Sequence, residues 1–155
     1  MMPRCGVPNV HTGTKSKHHS HGSNSSFHIV SHYLFFQGTP KWRASKIHLT
    51  YAFLARADIL GSPCARAFRK WASVTHFTFE QISSYNIANI KISFQIGDHG
   101  DSGSFDGPLG TWAHAYAPED GRLHFDGQDL WSMSPTPGKG LNGDDIMGIR
   151  ALYGA

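Results

Sequence analysis

Three histidines and one aspartate lie close together in the sequence, at a spacing that could bind a metal ion. These residues are His99, Asp101, His114 and His124. Three imidazole nitrogens and one carboxylate oxygen complete a tetrahedral Zn²⁺ shell and leave no position for a water molecule. A closed shell of this kind predicts a structural zinc site, not a catalytic one. The alternative interpretation is an acidic surface loop whose histidines share no ligand.

Three aspartates interleaved with these residues could bind a second kind of ion. Asp106, Asp126 and Asp129 offer carboxylate oxygens, which are the ligands that Ca²⁺ prefers in proteins. Gly107 and Gly110 would allow backbone carbonyls to turn toward the same ion. The spacing therefore predicts a calcium site beside the zinc site.

Short strands and two helices would have to position these residues. Alternating apolar residues predict strands in 47–53, 76–82 and 89–96, whereas 97–129 is expected to be mostly loop, with a short apolar stretch at 111–117. Together with the helices, these segments predict an α+β fold with a small sheet.

Both helices carry start or stop signals in the sequence. Ser62 and Pro63 predict the capped start of the first helix, whose inner face would comprise Ala65, Phe68, Trp71 and Ala72. Asn142 predicts the start of the second helix, which has Asp144 and Asp145 in its first turn and ends at Gly154. The apolar face of that helix would comprise Ile146, Ile149, Leu152 and Tyr153.

Length and composition limit the classes of function. A chain of 155 residues with 16% charged residues has room for one globular domain. No run of 18 apolar residues is present, so no transmembrane segment is expected, and the first residues lack the apolar stretch of a signal peptide. The basic residues before Asp58 are scattered and follow no recognition motif, so no nucleic-acid partner is expected.

The sequence divides into three parts. Residues 1–10 form a short first segment, 11–34 a flexible polar linker and 35–155 the globular domain. Within the linker, His18, His19 and His21 could bind metal or could belong to a solvated polar tract. Cys5 and Cys64 make no disulfide framework, and whether the two pair is left open by the sequence.

The stretch GDHGDSGSFDGPLGTWAHAYAPEDGRLHFDGQDLW, residues 97–131, resembles the structural zinc and calcium loop of the matrix metalloproteinases, or matrixins. The resemblance implies zinc ligands at His99, Asp101, His114 and His124. It implies calcium ligands at Asp106, Asp126 and Asp129 and at the carbonyls of Gly107, Leu109 and Thr111. The family usually has Glu where Asp129 stands. It has Asp for a second calcium where Asn89 stands, so no second calcium site is expected.

Three further segments match the family in the same order along the chain. PRCGVPNV, residues 3–10, resembles the propeptide cysteine switch, which implies that Cys5 is an inhibitory thiol of a zymogen. PKW at 40–42 and ARAFRKW at 65–71 resemble the start of the catalytic domain, and LNGDDIMGIRALYG at 141–154 resembles its last helix. The sequence of these segments is most similar to that of plant members. The resemblance to the family implies a zincin-like catalytic domain with a small, twisted mixed sheet.

The catalytic zinc motif of the family, HExxHxxGxxH, is absent from the printed sequence. Trp131 is followed almost directly by Met133, whose surroundings resemble the methionine turn that normally comes after the missing helix. Without the three histidines and the general-base Glu, the chain is expected to be inactive. Loss of buried side chains from that helix is also expected to leave the fold only marginally stable.

The family implies two hypotheses for function. In the first, a fuller form is a secreted zinc- and calcium-dependent endopeptidase acting on proteins of the extracellular matrix or cell wall. In the second, the chain is a non-catalytic zinc- and calcium-binding module or pseudoprotease. A HExxH motif in the gene would favour the first hypothesis, and a folded, metal-loaded but inactive chain the second.

Overall fold

The computed structural model describes residues 35–131 and 140–154. The predictions for segment 1–10 with Cys5, for the linker 11–34 and for Met133 lie outside these residues. Among the described residues, no helix is long and apolar enough to cross a lipid bilayer.

A five-stranded mixed sheet forms the centre of the domain. Its strands are β1 (His48–Phe53), β2 (Thr78–Gln81), β3 (Ile90–Gln95), β4 (Ala113–Ala115) and β5 (Arg122–Asp126). The order across the sheet is β2-β1-β3-β5-β4, and only β4, at one edge, is antiparallel to its neighbour. With two helices, this architecture confirms the predicted α+β class and mixed sheet.

The sheet has one apolar and one polar face, because side chains alternate along each strand. The apolar face contains Tyr51 and Ile92, both buried, and helix α1 (Gly61–Ala72) packs on it through Phe68. The register pairs Ile92 with Leu123 and Phe94 with Phe125, which extends this face across β5. The polar face therefore carries the alternate residues of β5, His124 and Asp126.

Helix α1 begins differently from the prediction. Its N-cap is Leu60, which makes no side-chain capping bond, and a short 3₁₀ turn at Asp58–Leu60 leads directly into it. Ser62 does not cap the helix, and its hydroxyl oxygen instead accepts a hydrogen bond from Arg66 at 2.7 Å. The prediction that Ser62 caps the start of α1 was therefore wrong, whereas the prediction that Phe68 lies on the inner face of the helix is confirmed.

Helix α2 (Gly143–Tyr153) has the predicted ends. Asn142 and Asp145 form a reciprocal capping box, and Gly154 ends the helix with a left-handed backbone at φ 72°. Tyr153 packs against Phe77 with perpendicular rings 4.9 Å apart, and its hydroxyl accepts the Trp42 N–H at 3.0 Å. These contacts bring the end of α2 against the segment that precedes β1.

Candidate metal centre

The four predicted zinc ligands come together on the polar face of the sheet. His124 lies on β5 and His114 lies directly opposite it on β4. His99 and Asp101 lie in the loop that follows β3. The four side chains are only 2–10% exposed. Two paired strands and one folded loop therefore converge on one small buried volume.

The donor atoms of these residues are spaced like the corners of a tetrahedron. Asp101 Oδ2 lies 2.9 Å from His99 Nε2, 3.1 Å from His114 Nε2 and 2.8 Å from His124 Nδ1. The three nitrogens are 3.1–3.4 Å apart. Ligands bound about 2.0–2.1 Å from a tetrahedral zinc ion would be about 3.3–3.4 Å from one another. The residues present therefore fit Zn²⁺ in number, chemistry and spacing.

Surrounding groups orient the ligands. His99 Nδ1–H donates to the Gly97 carbonyl at 2.8 Å, which leaves the Nε2 lone pair directed at the other donors. The Gly103 N–H donates to Asp101 Oδ1 at 3.0 Å, and the Tyr116 hydroxyl donates to the Asp101 carbonyl. The other oxygen of the carboxylate, Oδ2, is thereby left facing the histidines.

Electrostatics keep the site ready for a cation. Burial alone would raise the pKa of Asp101, but the Gly103 N–H that donates to its carboxylate and the neighbouring His114, Tyr116 and His99 outweigh it and hold that pKa well below its usual range. Burial, together with the neighbouring His114 and His99, lowers the pKa of His124. A carboxylate and a neutral imidazole are the forms that bind metal.

Four residues that support the ligands were not identified from the sequence. They are Gly97, Gly103, Phe105 and Tyr116. The ring of Phe105, which is 5% exposed, stacks on His99 and on His114 with centroids 5.2 and 4.7 Å apart. Phe105 lies between the predicted zinc and calcium residues in the sequence, and its apolar character inside a polar loop was the available signal. Tyr116 carried no comparable signal.

The predicted calcium residues lie beside this centre but do not converge as tightly. Among the described residues, the zinc set is the only group of three or more His, Cys, Asp or Glu side chains whose ligand atoms all lie within 4.8 Å of one another. Asp106 Oδ1 accepts the Thr111 N–H at 2.7 Å, and Asp129 Oδ1 accepts the Leu109 N–H at 2.8 Å. The carboxylates thus hold the loop 106–111 in a turn.

Two oxygens of this group are buried without a hydrogen-bond partner. They are Asp126 Oδ2 and Asp129 Oδ2, and Asp126 as a whole is fully buried. Its other oxygen, Oδ1, accepts the Gln128 N–H at 2.8 Å. A buried carboxylate oxygen without a partner is costly in a folded protein unless a cation or water satisfies it.

The tight turn around Asp106 requires glycine at one position. A Cβ atom at residue 110 would overlap the Asp106 carboxylate. Leu109 itself adopts a left-handed backbone at φ 68°, an unusual conformation for a residue with a side chain.

Asn89, which stands at the position of the family's second calcium ligand, makes a structural hydrogen bond. Its side-chain oxygen accepts the backbone N–H of Thr50 at 3.0 Å.

Comparisons with known proteins agree with this geometry. Residues 41–142 match the peptidase M10 family, Matrixin. Metalloendoproteinase 1 of Glycine max is 44% identical over 137 residues, covering 86% of this chain and 43% of that protein. Metalloendoproteinase 1-MMP of Arabidopsis thaliana is 39% identical, over 84% of this chain and 35% of that protein.

A human relative gives the same result. Matrix metalloproteinase-20 of Homo sapiens is 36% identical over 157 residues, covering 96% of this chain and 26% of that protein. The chain therefore spans less than half the length of each of these relatives. Since the family match extends over most of the sequence and includes all four ligands of the tetrahedral cluster, this chain belongs to the matrixin family.

Proposed function

We propose that this chain is a matrixin core that holds a structural zinc ion through His99, Asp101, His114 and His124. The observation that carries the proposal is the convergence of three imidazole nitrogens on one carboxylate oxygen at 2.8–3.1 Å. Three nitrogen lone pairs and an anionic oxygen at these distances repel one another, and a divalent cation turns that repulsion into attraction. Bound zinc would tie the loop after β3 to strands β4 and β5.

A calcium ion is proposed for the neighbouring aspartates. Asp126 and Asp129 would supply their unpartnered Oδ2 atoms, and Asp106 a third carboxylate. The carbonyls of Gly107, Leu109 and Thr111 would complete the oxygen shell. What supports this proposal is the cost of leaving two buried carboxylate oxygens unsatisfied.

The proposed role of the family core is proteolysis outside the cell. In that role, the protein to which this core belongs is a secreted endopeptidase of extracellular matrix or cell-wall proteins, and Cys5 is the inhibitory thiol of its zymogen. The 155-residue chain itself has no HExxH motif. It therefore lacks the histidines and the glutamate with which that motif holds the catalytic zinc and activates water, and it should bind metal without cleaving peptides.

Metal content and peptide cleavage test both parts of this proposal. The purified chain should contain one tightly held zinc per molecule by elemental analysis and should leave a fluorogenic peptide intact. Asp101→Asn should lose the zinc, whereas Asp98→Asn, which alters an exposed aspartate of the same loop, should retain it. A folded chain without zinc would refute the structural site, and chelator-sensitive cleavage would refute the inactivity.

Sequencing the transcript between the codons for Trp131 and Met133 separates the two functional hypotheses. In-frame codons for HExxHxxGxxH would assign the protein to the active endopeptidases. Direct continuity of Trp131 with Ser132 and Met133 would favour the metal-binding module.

A further inference from the structure

An apolar cavity of about 160 Å³ lies between α1, α2 and the apolar face of the sheet, on the side opposite the metal centre. Six aromatic side chains contribute to its wall: Trp42, Phe68, Trp71, Phe77, Phe79 and Tyr153. Leu49 and Ile90 from the sheet and Ile149 from α2 are the aliphatic contributors. The cavity is thus lined by elements from both ends of the domain and is open to solvent on one side.

The wall offers both edges and faces of aromatic rings. Phe77 and Tyr153 are perpendicular to one another, with an interplanar angle of 89°. Phe68 and Phe79 are stacked with centroids 4.8 Å apart. Aromatic pairs favour edge-to-face and offset-stacked arrangements, so a ring entering the cavity can adopt one with at least one of these neighbours.

Two polar side chains of the wall already have partners, and none of the lining residues that the structure describes is charged. The Thr75 hydroxyl donates to the Trp71 carbonyl at 2.8 Å and accepts the Phe77 N–H at 3.3 Å. The Tyr153 hydroxyl accepts the Trp42 N–H at 3.0 Å. The wall that the structure describes therefore offers a charged ligand no counter-charge and is suited to a neutral, largely apolar one.

We propose that this cavity binds a small, neutral, monocyclic aromatic molecule. Its volume is close to the roughly 150 Å³ of an apolar cavity that accepts benzene. The ligand would contact α1, α2 and the segment around Trp42 together. It would therefore stabilise the packing of α2, which in the described structure is held there by Tyr153 and by the Lys41 ammonium donating to the Leu152 carbonyl.

Benzene added to the full chain tests the proposal directly. At about ten times its Kd it should raise the melting temperature by about 3–6 °C. Cyclohexane should bind about two- to tenfold more weakly, because it lacks the ring electrostatics that add to aromatic pairing. In nuclear Overhauser spectra, benzene protons should contact the rings of Trp42 and Phe77.

A matched pair of variants locates the site. Ile149→Trp places a bulkier side chain in the cavity and should weaken benzene binding at least tenfold. Ile87→Trp makes the same change at a residue that is 73% exposed and should leave binding unchanged.

If Ile149→Trp does not fold, the Overhauser contacts in the unaltered chain decide the question. Their absence, or no change in melting temperature, would mean that the cavity is a void in the core that takes no ligand. Equal binding of cyclohexane would refute the aromatic preference. None of these measurements depends on bound zinc. Failure of this proposal can therefore be distinguished from failure of the proposed metal site.

Discussion

Strand β5 lies between two buried regions of different composition, an apolar one on one face and a polar one on the other. Toward α1 and Trp131 it presents Leu123 and Phe125, and Phe125 packs perpendicular to Trp131 with ring centroids 5.0 Å apart. On the opposite face it presents His124 and Asp126, which are 4% and 0% exposed. The polar face of this strand is more deeply buried than its apolar face. That inversion fits the proposal that bound cations, more than hydrophobic contact, stabilise the metal-binding side.

The two faces should respond differently to the loss of one side chain, and the largest effect is expected on the polar face. His124→Ala removes one zinc donor and leaves the buried Asp101 carboxylate without one of its three histidine partners. Without that donor the site should lose its zinc, and the buried Asp101 carboxylate then lacks a counter-charge, which costs about 3–5 kcal/mol. Chemical denaturation and elemental analysis should show a strongly destabilised chain without zinc.

His48→Ala is the matched control for this variant. His48 is about half exposed and contacts Thr78 and Glu80 far from the metal centre in the sheet order. Its loss should cost less than about 1 kcal/mol and leave the zinc in place. Equal destabilisation by the two variants would show that His124 contributes no more than an ordinary surface histidine.

Phe125→Ala tests the apolar face of the same strand. The ring is half-buried and contacts Phe94 and Trp131, so its loss should cost about 2–3 kcal/mol, below the range for a fully buried phenylalanine. The variant should keep its full zinc content, and its loss of stability should be the same with and without chelator. A fall in zinc content would show that the two faces of β5 are not independent.

The sequence predicted some of these features and missed others for physical reasons. Helix α2 was predicted with both ends because Asn142 and Gly154 act locally, through bonds to their own helix. Strand β5 was not separated from the loop, because its most buried positions carry His124 and Asp126 in place of the apolar residues that signal a strand. Tertiary contacts, such as that of Tyr116 with Asp101, leave no local pattern at all.

Asp126→Asn should have an effect whose sign depends on calcium. Without calcium the substitution removes a buried charge with an unpartnered oxygen, so the variant should be as stable as the parent chain or more stable. With calcium at about 100 times its Kd, the parent should gain about 2.7 kcal/mol that the variant lacks. Denaturation with and without calcium gives both values, and Asp58→Asn, an exposed aspartate, serves as the control.

A calcium response that is identical in Asp126→Asn and in the parent would contradict the proposed calcium site. It would also weaken the contrast between the two faces of β5, because the burial of Asp126 would then need another explanation.

The smallest expected effect concerns Cys64, on α1 at the apolar face. Burial raises the pKa of its thiol to about 11, so a Cys5→Ser chain should react slowly with iodoacetamide near pH 8 and faster as the pH approaches that value. Because the folded-state pKa lies above the ordinary value of 9.0, the contribution of this group to stability is complete below about pH 9 and is lost as the pH rises through about 11.

A chelator should leave the alkylation rate of Cys64 unchanged, since Cys64 lies on the face opposite the zinc ligands. Reaction near pH 8 at the rate of a free thiol, or a rate that rises when zinc is removed, would show that α1 is opened together with the metal centre.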